Sequence, residues 1–279
     1  MDERLRRPSG IRSLTIGDTT LSYVPDGAVQ LSPRGWLPDT TDEVWAKHPE
    51  YLDDSGHLVA GVGGLLVERG GRALLIDAGF GPQAAPAQPG NPYGAIHGGA
   101  LLENLATLGR RPADIEAVAI THLHVDHVGW AREFTGGSLV SEPEWAQRHL
   151  AVEQGTSREL LDALRPTVRT VTDGEEIFPG VRAMLTPGHT AGHTTYVITA
   201  GEHRVIAFGD AFHSPLQMEH PEWWAAPDHD RGRSTHFRRA LVEELSRPRT
   251  IGFGVHFADV AFGHVHSGDD GPAWRPVDD

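Results

Sequence analysis

Ala117-Val-Ala-Ile-Thr-His-Leu-His-Val-Asp-His-Val-Gly129 is the stretch on which the fold of this 279-residue chain turns. A short apolar run leads directly into His122, His124, Asp126 and His127. An extended backbone points residues two apart to the same face, so His122 and His124 can grip one ion. A turn into a helix after Val125 would swing Asp126 and His127 toward a second position. Four ligand-type residues in six positions form a far denser cluster than a solvated polar loop requires. Imidazole and carboxylate suit zinc, manganese, iron or cobalt, and two such ions about 3.5–4 Å apart can share a water.

Composition narrows the chemistry further. The chain has 39% hydrophobic and 22% charged residues, with 33 Gly and 20 Pro, the profile of a loop-rich enzyme rather than a coiled coil or a disordered tail. Its length suffices for one large domain or two small ones with a substantial core. With 24 Lys and Arg against 38 Asp and Glu, the net charge of −14 repels a phosphate backbone, so no nucleic-acid partner is expected. The absence of cysteine removes disulfides, thiolate nucleophiles and thiolate metal ligands, leaving His and carboxylate to hold any metal. The opening residues, MDERLRRPSG, are charged with no apolar stretch behind them, and the longest mostly apolar run, Leu58 to Val67, contains three glycines. That run is far short of the roughly 20 residues a spanning helix needs, so the expectation is a cytoplasmic protein with no membrane contact.

Short apolar runs bounded by Gly, Pro and Asp alternate with a few helical stretches, the pattern of an α/β protein. Strands are expected near residues 59–68, 73–77, 117–120, 167–171, 182–186, 195–199, 205–208 and 250–257, with earlier β structure between Leu14 and Val24. Helices are expected over 100–108, from Glu142 toward Arg165, and over 235–246; Ser141 and Glu144 make a capping-box pattern before the second. Residues 79–99, GFGPQAAPAQPGNPYGAIHGG, are too rich in Gly, Pro and Ala for regular structure and read as a loop, a lid or rim rather than a linker. One domain over residues 1–279 is therefore expected, with a solvated tail from about 268 to 279 that Trp274 would dock.

The segment THLHVDHVG resembles the HxHxDH signature of the metallo-β-lactamase superfamily, and other segments follow in the family's order. Leu74-Leu-Ile-Asp-Ala-Gly79 resembles the first motif, whose aspartate, Asp77 here, supports the metal loop. Thr186-Pro-Gly-His-Thr-Ala-Gly-His193 resembles the third, with His189 a ligand and His193 supporting it. Phe208-Gly-Asp-Ala211 resembles the fourth, with Asp210 bridging both ions. Asp77 to His256 covers about two-thirds of the chain. The resemblance implies a four-layer αβ/βα sandwich of two mixed sheets flanked by helices, with the metals at one edge. It implies a first ion on His122, His124 and His189, a second on Asp126, His127 and His256, and Asp210 shared. The last ligand should end a late strand; His256 is preferred there, with His264 its rival.

Residues 209–223 and 256–265 resemble the members related to methyl parathion hydrolase and to some quorum-quenching lactonases. His213 stands where many acyl-homoserine lactone hydrolases place a tyrosine that contacts the substrate oxygen, a departure from that pattern. A histidine there would donate to a developing oxyanion, bind a carboxylate, or pack behind the site. Phe80, Trp223 and Trp224 follow strands that end at the metals and are the candidate pocket residues, together with His264. Trp36, Trp45, His57, Tyr93, His97 and Trp130 read first as core or rim packing.

Two ions on neutral imidazoles and carboxylates would lower the pKa of a bridging water from about 15.7 toward 7, making hydroxide available. Asp126 or Asp210 would carry the proton to the leaving group. The implied enzyme is a dinuclear metal-dependent hydrolase, zinc being the first expectation and manganese, iron or cobalt the alternatives. Its substrate would be a small lactone or ester; a phosphotriester, a thioester, or a di-iron oxygenase of the persulfide dioxygenase type are the alternatives. A flavodiiron protein would need a further domain, and a tRNA-processing nuclease a basic arm. A homodimer is compatible with the many Arg and aromatic residues.

Overall fold

The central strands are apolar on both faces. Leu65, Val67, Leu74 and Ile76 belong to one core, whereas Leu66, Ala73 and Leu75 belong to another. A strand covered on both sides reads as a near-continuous hydrophobic run, which is how these segments stand in the sequence. The computed structural model describes residues 2–88, 90–268 and 271–277.

Among these residues the first sheet comprises β1 (Arg12–Ile16), β2 (Thr19–Leu31), β3 (Leu58–Arg69), β4 (Arg72–Ile76), β5 (Ala84–Ala85), β6 (Tyr93–His97), β7 (Val118–Ala119), β8 (Ser138–Ser141) and β9 (Val168–Val171). Its order is β5-β6-β2-β3-β4-β7-β8-β9, with β1 beside β2. The strands from β4 through β9 in that order run parallel, and the others antiparallel. The second sheet runs in sequence order through β10 (Glu176–Phe178), β11 (Val181–Leu185), β12 (Thr194–Ala200), β13 (His203–Ala207), β14 (Thr250–Phe253), β15 (Phe262–Gly268) and β16 (Gly271–Pro276). Only its β13–β14 pair is parallel among the described residues.

Leu21, Tyr23 and Ile76 of the first sheet meet Tyr196, Val205 and Phe253 of the second in the core between them. On the far face of the first sheet lie helices Leu101–Thr107 and Arg158–Leu164, and on that of the second lies helix Arg231–Leu245, through Leu241 and Leu245. Helix, sheet, sheet, helix is the expected four-layer sandwich. The loops leaving β4, β7, β11, β13 and β14 carry Asp77, the His122–His127 cluster, His189, Asp210 and His256, so the candidate residues gather outside strand ends.

Several local expectations are corrected. Residues 79–99 are not all loop: β6 pairs with β2 through Ala28↔His97 and Val29↔Ile96, because the edge of β2 would otherwise leave its amides and carbonyls unpaired. The end of the chain forms β16 against β15 and buries Trp274; residues 269, 270, 278 and 279 of the expected tail lie outside the described residues. The helix expected from Glu142 to Arg165 is three short pieces, Glu142–Ala146, His149–Glu153 and Arg158–Leu164. Gly155, at φ +105°, breaks the last connection, and Ser157 caps a fresh start by accepting from Leu160 N. β14 ends at Phe253, so His256 lies in the turn beyond it rather than on the strand. No helix among the described residues is long and apolar enough to cross a membrane.

Candidate metal centre

Asp77 opens the site in a left-handed conformation, φ +62°, which a non-glycine residue adopts only where its surroundings hold it. Its Oδ1 accepts from Thr121 N at 2.8 Å, and its Oδ2 from Thr121 Oγ1 at 2.8 Å and His127 Nδ1 at 2.8 Å. That carboxylate fixes the loop after β7. His122, His124, His189 and Asp210 then bring one donor atom each within 4.8 Å of one another, as do Asp126, His127 and His256.

Asp210 joins the two groups. Its Oδ2 lies 3.3 Å from His189 Nε2 and 3.7 Å from His122 Nε2; its Oδ1 lies 3.0 Å from His127 Nε2 and 2.9 Å from His256 Nε2. Asp126 Oδ2 is 3.6 Å from His127 Nε2 and 3.7 Å from His256 Nε2. His193 supports this arrangement from behind: its Nε2 accepts from Asp210 N at 3.1 Å and its Nδ1 pairs with Thr186 Oγ1 at 2.9 Å. Gly209, at φ +50°, makes the turn possible, since a Cβ there would fall 2.8 Å from His193 Nε2.

The outward ring nitrogens are paired and the inward ones converge. His122 Nδ1 meets Thr121 Oγ1 at 3.0 Å, His124 Nε2 meets Gln154 Oε1, His127 Nδ1 meets Asp77, His189 Nδ1 meets Asp228 Oδ1 at 3.0 Å, and His256 Nδ1 meets Gly61 O at 2.7 Å. A histidine that donates its outer N–H presents a lone pair inward, which is how proteins orient imidazole ligands. Inside, His122 Nε2, His127 Nε2 and Asp210 Oδ1 are buried with no well-formed hydrogen bond despite their proximity. Buried polar atoms left so are costly, and divalent cations would satisfy them. The donor set therefore fits two divalent ions.

The electrostatics agree. Burial, reinforced by the His127 charge, holds His122 well below its ordinary pKa; burial, followed by the His189 charge, takes His124 down to about 3. Burial opposes charge on His189 too, but hydrogen bonds to Asp210 and Asp228 raise it to about 9. His127 and His256 are likewise raised by Asp210 against burial, and Asp210 is held well below the carboxylate range by the imidazoles around it despite its own burial. Without metal, protons balance this charge; ions would displace them.

Three supporting carboxylates lie outside the metal-site motifs. Glu144 accepts from Leu123 N at 3.0 Å, Thr190 Oγ1 at 2.6 Å and Gly192 N at 2.9 Å, joining the His122–His127 loop to the His189 loop. This is the expected capping-box residue: Ser141 does accept from Glu144 N at 3.3 Å, but the Glu144 carboxylate turns to the two loops instead of closing the box. Asp26 accepts from Phe80 N, Gly99 N, Leu101 N and Trp130 Nε1 and so shapes the rim. Asp228 orients His189. Only long-range contact reveals these roles; a lone Asp or Glu between loops carries no local signal.

A cavity of about 270 Å³ opens onto Asp126, Asp210, His213 and His256, with apolar walls from Leu31, Trp36, Phe80, Tyr93 and Ile96. Phe80 lines the cavity, and Trp36 and Tyr93 face it as well. Trp223, Trp224 and His264 do not line it. Trp223 is buried against Trp45 and stacked on His220, Trp224 donates to Asp39 beneath Arg231, and His264 pairs with Thr250 O on β15, away from both donor groups. His213 places Nε2 3.1 Å from Asp210 Oδ2. Burial holds its pKa down, and the contact aims this ring nitrogen at Asp210.

The fold and the site together define a metal-dependent hydrolase. The model of the metallo-beta-lactamase superfamily matches residues 64–254, and the chain belongs to that superfamily. Among its relatives, an N-acyl homoserine lactonase of a Bacillus species is 27% identical over 197 residues, covering 66% of this chain and 76% of its own length. A probable metallo-hydrolase of Mycobacterium tuberculosis is 29% identical over 175 residues, 53% of this chain and 56% of its own. The structure of AidC, a dizinc quorum-quenching lactonase, superposes with a TM-score of 0.82 over 97% of this chain and 98% of that one at 20% identity, a likeness of fold.

Proposed function

We propose that the protein is a dinuclear, zinc-dependent hydrolase of small lactones bearing an apolar substituent, with simple esters as secondary substrates. The observation that carries this reading is Asp210, which turns one carboxylate oxygen to each donor group at the floor of a cavity with apolar walls. The lactonase relative supports the same substrate class. When bound, the ions supply Lewis acidity, lowering the pKa of water from about 15.7 toward 7 and polarising the ester carbonyl.

The chain's own residues do the rest. Leu31, Phe80 and Ile96 take the apolar substituent and exclude water. Asp126, whose carboxylate is 18% exposed and opens on the cavity, receives the proton and returns it to the leaving oxygen. His213 holds Asp210 in register through Nε2. Partial burial and the charges of Asp126 and Asp210 push the Tyr93 phenol up to about 12, so it stays protonated and donates to the substrate oxygen.

Elemental analysis of purified protein, followed by hydrolysis of a lactone and aryl-ester panel before and after chelation, tests the proposal. Two equivalents of zinc and chelator-sensitive lactone hydrolysis are expected. Two equivalents of iron with no hydrolysis, or hydrolysis indifferent to chelation, would overturn it.

A further inference from the structure

Arg238 heads the fully buried side chains by volume: its side chain is 1% exposed and that of its partner Asp228 0%. A helix packed through Leu241 and Leu245 needs no charge there, and a buried ion pair is poor evidence of a stability role because desolvation offsets its attraction. Its contacts point elsewhere. Arg238 Nη1 donates to Asp228 Oδ2 at 3.1 Å, and Nε donates to Pro221 O at 2.9 Å. Nη1 also reaches Ala211 O, one residue beyond Asp210, at 3.5 Å. Asp228 in turn accepts from His189 Nδ1 through Oδ1 at 3.0 Å and from Ala225 N through Oδ2 at 3.1 Å. Arg238 is therefore one contact removed from the His189 ring and also touches the turn that carries Asp210. The second donor group is held differently, His127 by Asp77 and His256 by Gly61 O.

We propose that the buried Asp228–Arg238 pair is a positioning device that acts on the first metal group through the His189 ring, so that its loss weakens the ion held by His189 far more than the other. The inference rests on the metal-centre reading above. Both residues act through others and touch neither substrate nor ion. A lysine at 238 would reach Asp228 but not Pro221 O and Ala211 O at once, since only a guanidinium offers donors in several directions.

Zinc affinities measured by competition with a chromophoric chelator test this. Native protein should bind two zinc ions tightly. Arg238→Met and Asp228→Asn should each weaken one of them by about 10- to 100-fold, as loss of an outer-shell partner does elsewhere, and leave the other within about threefold. Arg238→Lys should fall between, and the double variant should be no worse than either single one. Should Arg238→Met not fold, as judged by circular dichroism in chelator, the near-isosteric Asp228→Asn gives the same reading. Equal weakening of both ions, or none, overturns the inference while leaving the metal centre intact; native protein that binds no zinc overturns both.

Discussion

Glu144 shows how much a single side chain can decide. It is 4% exposed, and three donors from the two loops that carry the candidate metal ligands converge on it. Glutamine would turn an NH2 toward one of those donors, leaving buried hydrogen bonds unmade. Glu144→Gln should cost about 2 kcal/mol of stability and lower kcat/KM about 10- to 100-fold, because His124 and His189 would drift apart. Thermal melting and zinc titration on one sample check this; unchanged zinc affinity would confine Glu144 to packing. Tyr93 gives the opposite expectation. Its ring faces the cavity and packs edge-on against Trp36 at 5.3 Å, but it belongs to neither donor group. Tyr93→Phe should leave zinc content unchanged and lower kcat more than it raises KM, by about 10-fold or more if the phenol donates in the transition state. A normal kcat in Tyr93→Phe would remove it from the chemistry.

Elements differ in how far the sequence discloses them. The donor groups were legible because each candidate ligand follows an apolar run within a dense local cluster, as at His122–His127, or a Gly-bounded one, as at Phe208–Ala211. The β5–β6 and β15–β16 edge hairpins were not: Ala84–Ala85 and Gly271–Pro276 have neither alternation nor β-branched residues, and they become strands only because a neighbouring edge offers partners. The same reason hid Tyr93, which reaches the cavity on β6. Trp223 and Trp224 misled because proximity in sequence to Asp210 says nothing of direction; the chain turns after Glu219 and buries one indole against Trp45. Helix Arg231–Leu245 begins four residues before the expected start because Asp230 accepts from Arg233 N at 3.0 Å and caps it. Asp230→Ala should cost about 1 kcal/mol, a fall of about 2–4 °C in Tm, with zinc affinity unchanged. Loss of zinc in that variant would mean that the cap, and not Arg238, sets the first group.

At the scale of the whole molecule, the start of the chain is tied to the turn beyond His256. Asp259, 2% exposed, accepts from Arg7 Nη2 at 2.8 Å, Arg12 Nη2 at 2.7 Å and Ser9 Oγ at 3.1 Å, while its own carbonyl accepts from Arg4 Nε at 2.9 Å. Burial pushes this carboxyl up, but the hydrogen bonds from Arg12, Arg7 and Ser9 outweigh it and hold the pKa below the ordinary value. A carboxyl whose folded pKa is depressed adds stability above its unfolded value of about 3.9, and that stability is lost as pH falls through the lower, folded value. Asp259→Asn should therefore melt below the native protein at pH 7, by the equivalent of about 2 kcal/mol for lost charge-assisted hydrogen bonds. The gap should narrow steadily below pH 4. High salt should shrink it only in part, since Arg7 is 55% exposed and screened while Asp259 is not. Melting both proteins between pH 3 and 7, with chelator present so that metal loss does not intrude, measures the gap directly. A difference that stays constant across that range would mean that the arm is held by its backbone contacts, such as Asp259 N to Arg4 O at 3.0 Å, and that the arginines add little.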